Sequence, residues 1–260
     1  MKKSVVLPVR AALCLSLSAI ALITASCTTV PPVDPALLNP ATNSAIRTEP
    51  RDANWMKRHD GFVAEAKRGG IDVLFLGDSI TDFWRSRGKA TWDREYAPRH
   101  AANFGISADR TQHVLWRLEH GEIDGLAPKV VVLLIGTNNT GVETNGAPRN
   151  SVNETIQGLK VVVSTLRTKL PRTQLLLLGI FPRADPKGPP AGAPDIKVIN
   201  AALEKLDDGQ AIRFLDFGAK FLGVDGKVSK DLFPDLLHPN ASGYEIWADA
   251  IRAPLAEMLK

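Results

Sequence analysis

The stretch Val73-Leu74-Phe75-Leu76-Gly77-Asp78-Ser79-Ile80 decides the fold class of this chain. Four consecutive apolar residues ending at a glycine are typical of a short strand that is buried on both faces. The polar residues after the glycine form a turn that leads from the strand into a helix. Because fully apolar strands followed by helices build parallel sheets covered on both faces, this stretch predicts an α/β fold.

The rest of the chain repeats the alternation of apolar strands and amphipathic helices. Strands are predicted over 73–76, 101–104, 130–135, 175–180 and 212–217, and helices over 55–67, 110–120, 152–170, 196–206 and 244–259. This pattern predicts a three-layer αβα sandwich, flavodoxin-like, with a five-stranded parallel sheet. The sequence of residues 46–260 has no internal repeat and no linker, so we expect a single domain there.

The first 26 residues have the pattern of a secretory signal peptide. Lys2, Lys3 and Arg10 form a basic start, and the uncharged apolar run that follows, residues 11–23, is too short to span a bilayer comfortably. The run leads to Cys27 and resembles a bacterial lipoprotein signal, which implies lipidation of that cysteine and export to the outer membrane. A soluble exported protein is the alternative. Residues 27–45 are rich in proline, threonine and asparagine, which predicts an extended tether.

Charge and cysteine content exclude two classes of protein. Without the three basic residues of the leader, 29 Lys and Arg face 28 Asp and Glu, so the mature chain is nearly neutral. A neutral domain without a basic run gives no reason to expect a nucleic-acid partner. Both cysteines, Cys14 and Cys27, lie in the leader region, so a disulfide scaffold is excluded.

Polar residues follow several predicted strands, at the sheet edge where ligands bind in such folds. Ser79 follows the first strand and is a candidate nucleophile, which needs a neighbouring base to take its proton. His238 is the candidate base. Asp235, three residues earlier, is placed to hydrogen-bond the imidazole and fix its tautomer. The sequence therefore predicts a Ser79–His238–Asp235 catalytic triad.

An oxyanion hole is predicted from three further groups. Ser79 lies at a strand-to-helix turn, where its own backbone N–H is free to donate. Gly105 follows the second strand and lets a backbone N–H approach closely, and Asn138 follows the third strand and offers a side-chain amide.

Ser79, Gly105, Asn138 and His238 match, in order, the four residues that name the SGNH (GDSL-like) hydrolase superfamily. The chain resembles most closely the catalytic subunits of the intracellular platelet-activating-factor acetylhydrolases. That resemblance rests on the sequences His100-Ala-Ala-Asn-Phe-Gly-Ile-Ser-Ala-Asp-Arg-Thr-Gln-His-Val-Leu-Trp-Arg-Leu118, Gly136-Thr-Asn-Asn139, Gly179-Ile-Phe-Pro-Arg183 and Asp231-Leu-Phe-Pro-Asp-Leu-Leu-His238.

The resemblance implies a flavodoxin-like fold, a serine esterase with an acyl-enzyme intermediate, and no metal or other cofactor. It also implies an acyl pocket formed by Ile80, Thr137 and Leu237, whose moderate size favours short acyl chains, above all acetyl. An exported enzyme of this kind is expected to act on small acyl esters or acetylated glycans. Two departures stand out: Ile80 replaces the leucine of the GDSL signature, and residues 107–110 lack the glycines usual in that family.

Several alternatives compete with the esterase prediction. A metal-dependent adhesion domain of von Willebrand factor A type also has a strand followed by an Asp-x-Ser motif, but Ile80 occupies a metal-ligating serine position and cannot coordinate a cation. A lysophospholipase or thioesterase of the same fold stays open, as do a non-catalytic carbohydrate-binding or dimerising module and a homodimeric state. Asp216 is a rival triad acid. The remaining histidines are interpreted as packing or surface residues: His59, His100, His113 and His120.

Overall fold

A five-stranded parallel sheet forms the centre of the structure, a computed structural model that describes Met1 and residues 38–184 and 193–260. The strands are β1 (Val73–Gly77), β2 (Ala101–Gly105), β3 (Val130–Leu134), β4 (Gln174–Leu178) and β5 (Ile212–Leu215). Their order across the sheet is β2-β1-β3-β4-β5, and every pair is parallel. The predicted five-stranded parallel sheet is confirmed.

The helices that connect the strands agree with the predicted ones to within a few residues. They are α1 (Ala53–Arg68), α2 (Ser79–Asp82), α3 (Lys89–Glu95), α4 (Thr111–Glu119), α5 (Val152–Lys169), α6 (Ala193–Glu204) and α7 (Ala241–Met258). The helix expected after the turn at Ser79 is α2, for which the sequence analysis predicted no bounds, and α3 was not predicted; these helices have 4 and 7 residues. Such short helices complete too few turns for a hydrophobic period to appear.

Each strand contributes to two cores because successive side chains point to opposite faces of the sheet. On one face, Leu74 and Leu76 of β1 pack in a cluster with apolar residues of α1, α4, α5 and α6. On the other face, Val73 and Phe75 pack with Trp84 and with residues of α7. Burial on both faces explains why the strands are apolar without interruption.

The packed part of the chain begins before residue 46, which corrects the predicted boundary between tether and domain. Asn43 is 1% exposed and Ala45 is fully buried. The Thr111 hydroxyl of α4 donates a hydrogen bond of 2.7 Å to the Ala45 carbonyl. The proline-rich composition before residue 46 predicted a tether and did not indicate that this short segment packs against the domain. Its buried residues are an asparagine and an alanine. The predicted signal peptide after Met1, Cys27 and the earlier tether lie outside the described residues.

The strand order creates a switch point at the carboxyl end of β1. The chain leaves β1 to form β2 on one side and later returns to form β3 on the other side. The segments after β1, β2 and β3 therefore meet at one edge of the sheet, where open α/β folds bind ligands. Among the described residues, no helix is both long enough and apolar enough to cross a membrane.

Candidate active site

Ser79 is the first residue of α2 and follows β1 directly. Asp78 caps the helix by accepting a hydrogen bond of 2.9 Å from the Ile80 N–H. Gly77 is required just before this turn, because a Cβ there would collide with the Leu134 carbonyl oxygen of β3. The tight turn brings Ser79 Oγ to 2.9 Å from His238 Nε2, across 159 residues of sequence.

His238 and Asp235 lie on one tight turn before α7. Asp235 Oδ2 is 2.9 Å from His238 Nδ1, and Oδ1 accepts backbone hydrogen bonds from Leu237 at 3.1 Å and His238 at 2.7 Å. Leu236 closes the turn with a left-handed backbone, φ 59°. A non-glycine residue in this region is strained, and such strain is common at functional sites.

The groups around Asp235 favour the ionised form of this carboxyl group. Burial raises its pKa, but the hydrogen bonds from the backbone and imidazole of His238 and from the Leu237 N–H outweigh burial and lower it to about 2. An ionised carboxylate accepts a hydrogen bond from the Nδ1–H group, which leaves Nε2 as the acceptor that faces the Ser79 hydroxyl. The three residues predicted as a triad therefore lie together in an arrangement that can activate a serine.

Asp216, the rival acid, has a structural role. Its carboxylate accepts hydrogen bonds of 2.8 Å from the Asn200 side chain and from the Gly218 N–H. These bonds tie the end of β5 to α6 and to the following turn, and they account for both carboxylate oxygens.

Gly105 does not provide an oxyanion donor, so that prediction is wrong. Its N–H donates a hydrogen bond of 2.9 Å to the side chain of Asn103. The glycine is needed because the chain of α2 passes close by: a Cβ would collide with the backbone nitrogen of Asp82. Gly105 thus permits β2 and α2 to approach, and its donor is already used.

Ala108, three residues further along the same loop, is the better candidate donor. Its backbone is left-handed, φ 67°, and its N–H has no acceptor within the described part of the chain. The Asn138 side chain lies beside this loop and donates a hydrogen bond of 2.9 Å to the Asp109 carbonyl, which leaves its second amide hydrogen available. The lack of glycines at residues 107–110 was the sequence signal that could have drawn attention to Ala108.

Phe83 and Arg87 complete the surroundings of His238, and sequence reasoning did not anticipate either. The Phe83 ring lies 5.0 Å from the imidazole, and the Arg87 guanidinium lies 4.9 Å from the centre of the Phe83 ring. Arg87 also contacts Asp235. No sequence signal distinguished this arginine from other surface arginines.

The three residues predicted to form an acyl pocket differ in accessibility. Ile80 is 1% exposed and packs in the core with Trp84 and Tyr244, while Thr137 is 2% exposed. Leu237 is half-buried. Ile80 therefore points into the core and offers no open wall, which corrects its predicted role; Leu237 is the member of the set whose side chain is accessible.

The other histidines have the packing and surface roles predicted for them. His59 and His113 are buried, whereas His100 and His120 are exposed. His113 Nδ1 accepts a hydrogen bond of 3.0 Å from the Arg110 N–H at the start of α4, and burial lowers the pKa of His113 to about 3. It is therefore a neutral capping residue. Within the described residues, no three His, Cys, Asp or Glu side chains cluster in a way that could hold a metal ion.

Comparisons with known proteins point to one family. The model of the GDSL-like lipase/acylhydrolase family matches residues 75–246. The chain is 34% identical over 211 residues to platelet-activating factor acetylhydrolase IB subunit alpha2 of Homo sapiens, which covers 80% of this chain and 84% of the relative.

Two solved structures share the fold. A GDSL-like lipase from Bacteroides thetaiotaomicron has a TM-score of 0.61 at 19% identity and covers 76% of this chain and 97% of its own. An acetylxylan esterase from Geobacillus stearothermophilus has a TM-score of 0.53 at 18% identity and covers 71% of this chain and 94% of its own.

Proposed function

Because the chain belongs to the GDSL-like lipase/acylhydrolase family and is thereby placed among the ester hydrolases, we propose that it is a serine esterase acting through Ser79, His238 and Asp235. The observation that carries the proposal is the continuous chain of two 2.9 Å contacts from Ser79 Oγ through the imidazole to Asp235. A hydroxyl, a base and an orienting carboxylate in this order are the parts that nucleophilic acyl transfer requires.

The reaction has two steps, which are acylation of Ser79 and hydrolysis of the acyl-enzyme. His238 Nε2 takes the hydroxyl proton while Ser79 Oγ attacks the ester carbonyl carbon, and the negative charge moves to the carbonyl oxygen. When the tetrahedral intermediate collapses, the C–O bond to the alcohol breaks, and His238 returns its proton to the departing oxygen. A water molecule then attacks the acyl-enzyme with the same proton transfers, which releases the carboxylic acid and restores Ser79.

The oxyanion is stabilised by the N–H groups of Ser79 and Ala108 and by the Asn138 amide. These donors belong to the segments after β1, β2 and β3, which are adjacent in the sheet. Removing one preorganised donor of this kind typically costs about 10²–10³ in kcat.

The substrate class proposed is short acyl esters, acetyl above all, carried by a small alcohol or a glycan. The name of the human relative describes an acetylhydrolase, and that of the bacterial structure describes an acetylxylan esterase. Thr137 and Leu237 are next to Asn138 and His238 in sequence, and side chains of this moderate size favour a short acyl chain. A preference for long acyl chains would instead support the lysophospholipase or thioesterase alternative.

Replacing the nucleophile tests the proposal. Ser79→Ala should abolish hydrolysis of p-nitrophenyl acetate and labelling by a fluorophosphonate probe, while the thermal unfolding curve stays unchanged. Ser86→Ala is a matched control, because Ser86 also lies close to α2 and its hydroxyl donates a hydrogen bond of 3.5 Å to the Phe83 carbonyl, away from His238. Labelling or hydrolysis that persists in Ser79→Ala would refute the assignment. Complete inactivity of the unmutated protein on graded acyl esters would support a non-catalytic binding module.

Lipidation of Cys27 and outer-membrane anchoring form a separate proposal, supported by the basic start, the apolar run and the proline-rich stretch around that cysteine. Expressed with its leader in a bacterium, the protein should incorporate labelled palmitate and partition with membranes, and Cys27→Ser should prevent both. A soluble periplasmic protein with a different mature start would contradict it.

A further inference from the structure

Asp109 lies directly after Ala108, and its side chain is fully buried. The carboxylate accepts hydrogen bonds from Trp55 Nε1 at 2.7 Å and from Arg51 Nη1 at 3.2 Å. Arg117 Nε lies 3.1 Å from the other carboxylate oxygen as an ion-pair contact. Trp55 lies in the first turn of α1 and Arg51 lies just before this helix, so both are more than fifty residues away from Asp109 in sequence.

The backbone of Asp109 is equally constrained. Its carbonyl accepts the hydrogen bond from the Asn138 amide at 2.9 Å, and its N–H donates to the Ile106 carbonyl at 3.2 Å. Arg51 also donates to the Ser107 carbonyl at 2.8 Å. These contacts fix Ser107 and Asp109, the residues on either side of Ala108. The Asp109 carbonyl also orients the side chain of Asn138.

A buried carboxylate is costly unless it is paired and hydrogen-bonded. Burial raises the pKa of Asp109, and Arg117, Trp55 and Arg51 oppose that rise. An apolar residue would fill the same volume without the cost of burying a charge. Stability alone is therefore a weak explanation for this ion-pair network. The location of Asp109 offers a better explanation, because this residue follows the strained Ala108 directly and its carbonyl binds the Asn138 amide.

We propose that Asp109, held in place by Trp55 and Arg51, is a positioning residue that aligns the Ala108 N–H and the Asn138 amide on the oxyanion. Trp55 and Arg51 act through Asp109 and do not touch the substrate. The inference rests on the proposed serine-esterase function. It adds that the segment at the start of α1, which holds Arg51 and Trp55, controls transition-state stabilisation.

Trp55→Phe tests the inference, because it keeps an aromatic ring and removes the Nε1 donor. For p-nitrophenyl acetate, kcat should fall about 10- to 100-fold, as expected when a preorganised donor is misplaced, while KM changes less than about three-fold. Trp92→Phe is the matched control: Trp92 is partly buried in the other core and should leave kcat unchanged. Arg51→Lys should keep more activity than Arg51→Gln, and both are folding-tolerant alternatives because Arg51 is 26% exposed.

A transition-state analogue separates positioning from general loosening. A short alkyl trifluoromethyl ketone forms a charged tetrahedral adduct with serine, so its inhibition constant should rise by the same factor as kcat/KM falls. Binding of the corresponding alcohol, which forms no adduct, should not change. Three results would overturn the inference. They are a loss of kcat without weaker ketone binding, a change in KM alone, and an unchanged kcat in both Trp55→Phe and Arg51→Gln. If the inference about Asp109 fails but Ser79→Ala is inactive in the same assay, the proposed esterase function still stands. An active Ser79→Ala would overturn both the esterase function and the inference about Asp109.

Discussion

Arg87 and Asp235 form an ion pair at the rim of the candidate site. Nη1 and Nη2 of the arginine each lie 3.3 Å from Asp235 Oδ2, the same oxygen that lies 2.9 Å from His238 Nδ1. One carboxylate oxygen therefore serves both the guanidinium and the imidazole.

Arg87→Gln should lower kcat/KM for p-nitrophenyl acetate about two- to five-fold. The change removes one partner of the Asp235 carboxylate that orients His238. Because the pair is exposed, the loss should be modest and should shrink as salt is added. Arg94→Gln, which removes an exposed arginine paired with Glu245, is the control. An unchanged kcat/KM for Arg87→Gln at low salt would contradict the expectation.

Leu237→Ala should change the preference for acyl length. Each further methylene in a tight pocket costs roughly 1–3 kcal/mol by overpacking, which outweighs the roughly 0.8 kcal/mol gained by burying it. Activity should therefore decline from acetyl through butyryl to octanoyl esters, and Leu237→Ala should flatten or invert the trend. Leu222→Ala, a half-buried leucine away from the site, should leave the trend intact. An unmutated enzyme that prefers octanoyl esters would show that the pocket is open or elsewhere.

Ala108 should tolerate glycine and reject valine. A left-handed backbone costs an L-residue roughly 1–2 kcal/mol, and a β-branched residue adopts it least readily. Ala108→Gly should keep kcat/KM within about three-fold, whereas Ala108→Val should lower kcat about 10- to 100-fold by shifting the N–H donor. His100→Val provides the comparison, because His100 is also left-handed, φ 50°, but lies away from the site. It should lose stability without losing kcat. Full kcat in Ala108→Val would remove Ala108 from the oxyanion hole.

Asp78→Asn should stabilise the fold at alkaline pH. Burial raises the pKa of Asp78 from 3.8 to about 7. Because the pKa of Asp78 is higher in the folded state, the contribution of this residue to stability is fully present below about pH 4 and is lost as the pH rises through 7. At about 1.4 kcal/mol per pKa unit the loss amounts to a few kcal/mol, and asparagine avoids it because it does not ionise. Urea unfolding should show the variant more stable at pH 8 and equal to the unmutated protein near pH 4.

Asp82→Asn is the matched control for Asp78→Asn, because Asp82 lies four residues after Asp78, at the end of α2. Burial raises the pKa of Asp82, but hydrogen bonds from Arg58 and Ser107 outweigh burial and lower it. The stability that ionised Asp82 gives to the fold is therefore present at neutral pH and is lost as the pH falls. Asp82→Asn should therefore destabilise the fold at pH 8. Destabilisation by both variants at pH 8 would mean that Asp78 is ionised and paired in the folded state.

The sequence predicted the parts of the site that depend on local pattern. Apolar runs of strand length placed Ser79 and Asn138 at strand ends, and the three-residue spacing placed Asp235 beside His238. The parallel sheet then brought these segments to one edge, as its topology requires. The Gly105 prediction was wrong because the same residue type serves two purposes, close approach of a backbone donor and close approach of two elements, and the sequence does not distinguish them.

The sequence by itself determined the αβα fold class and the three residues of the candidate triad, because hydrophobic period and residue spacing are properties of neighbours along the chain. Only the tertiary structure decided that Ala108 offers the free donor, that Arg87 shares the oxygen of Asp235, and that Trp55 reaches Asp109. Those relationships depend on one backbone torsion or on atoms brought together across 54 to 148 residues. Such contacts are set by how the layers pack, and no local pattern encodes them.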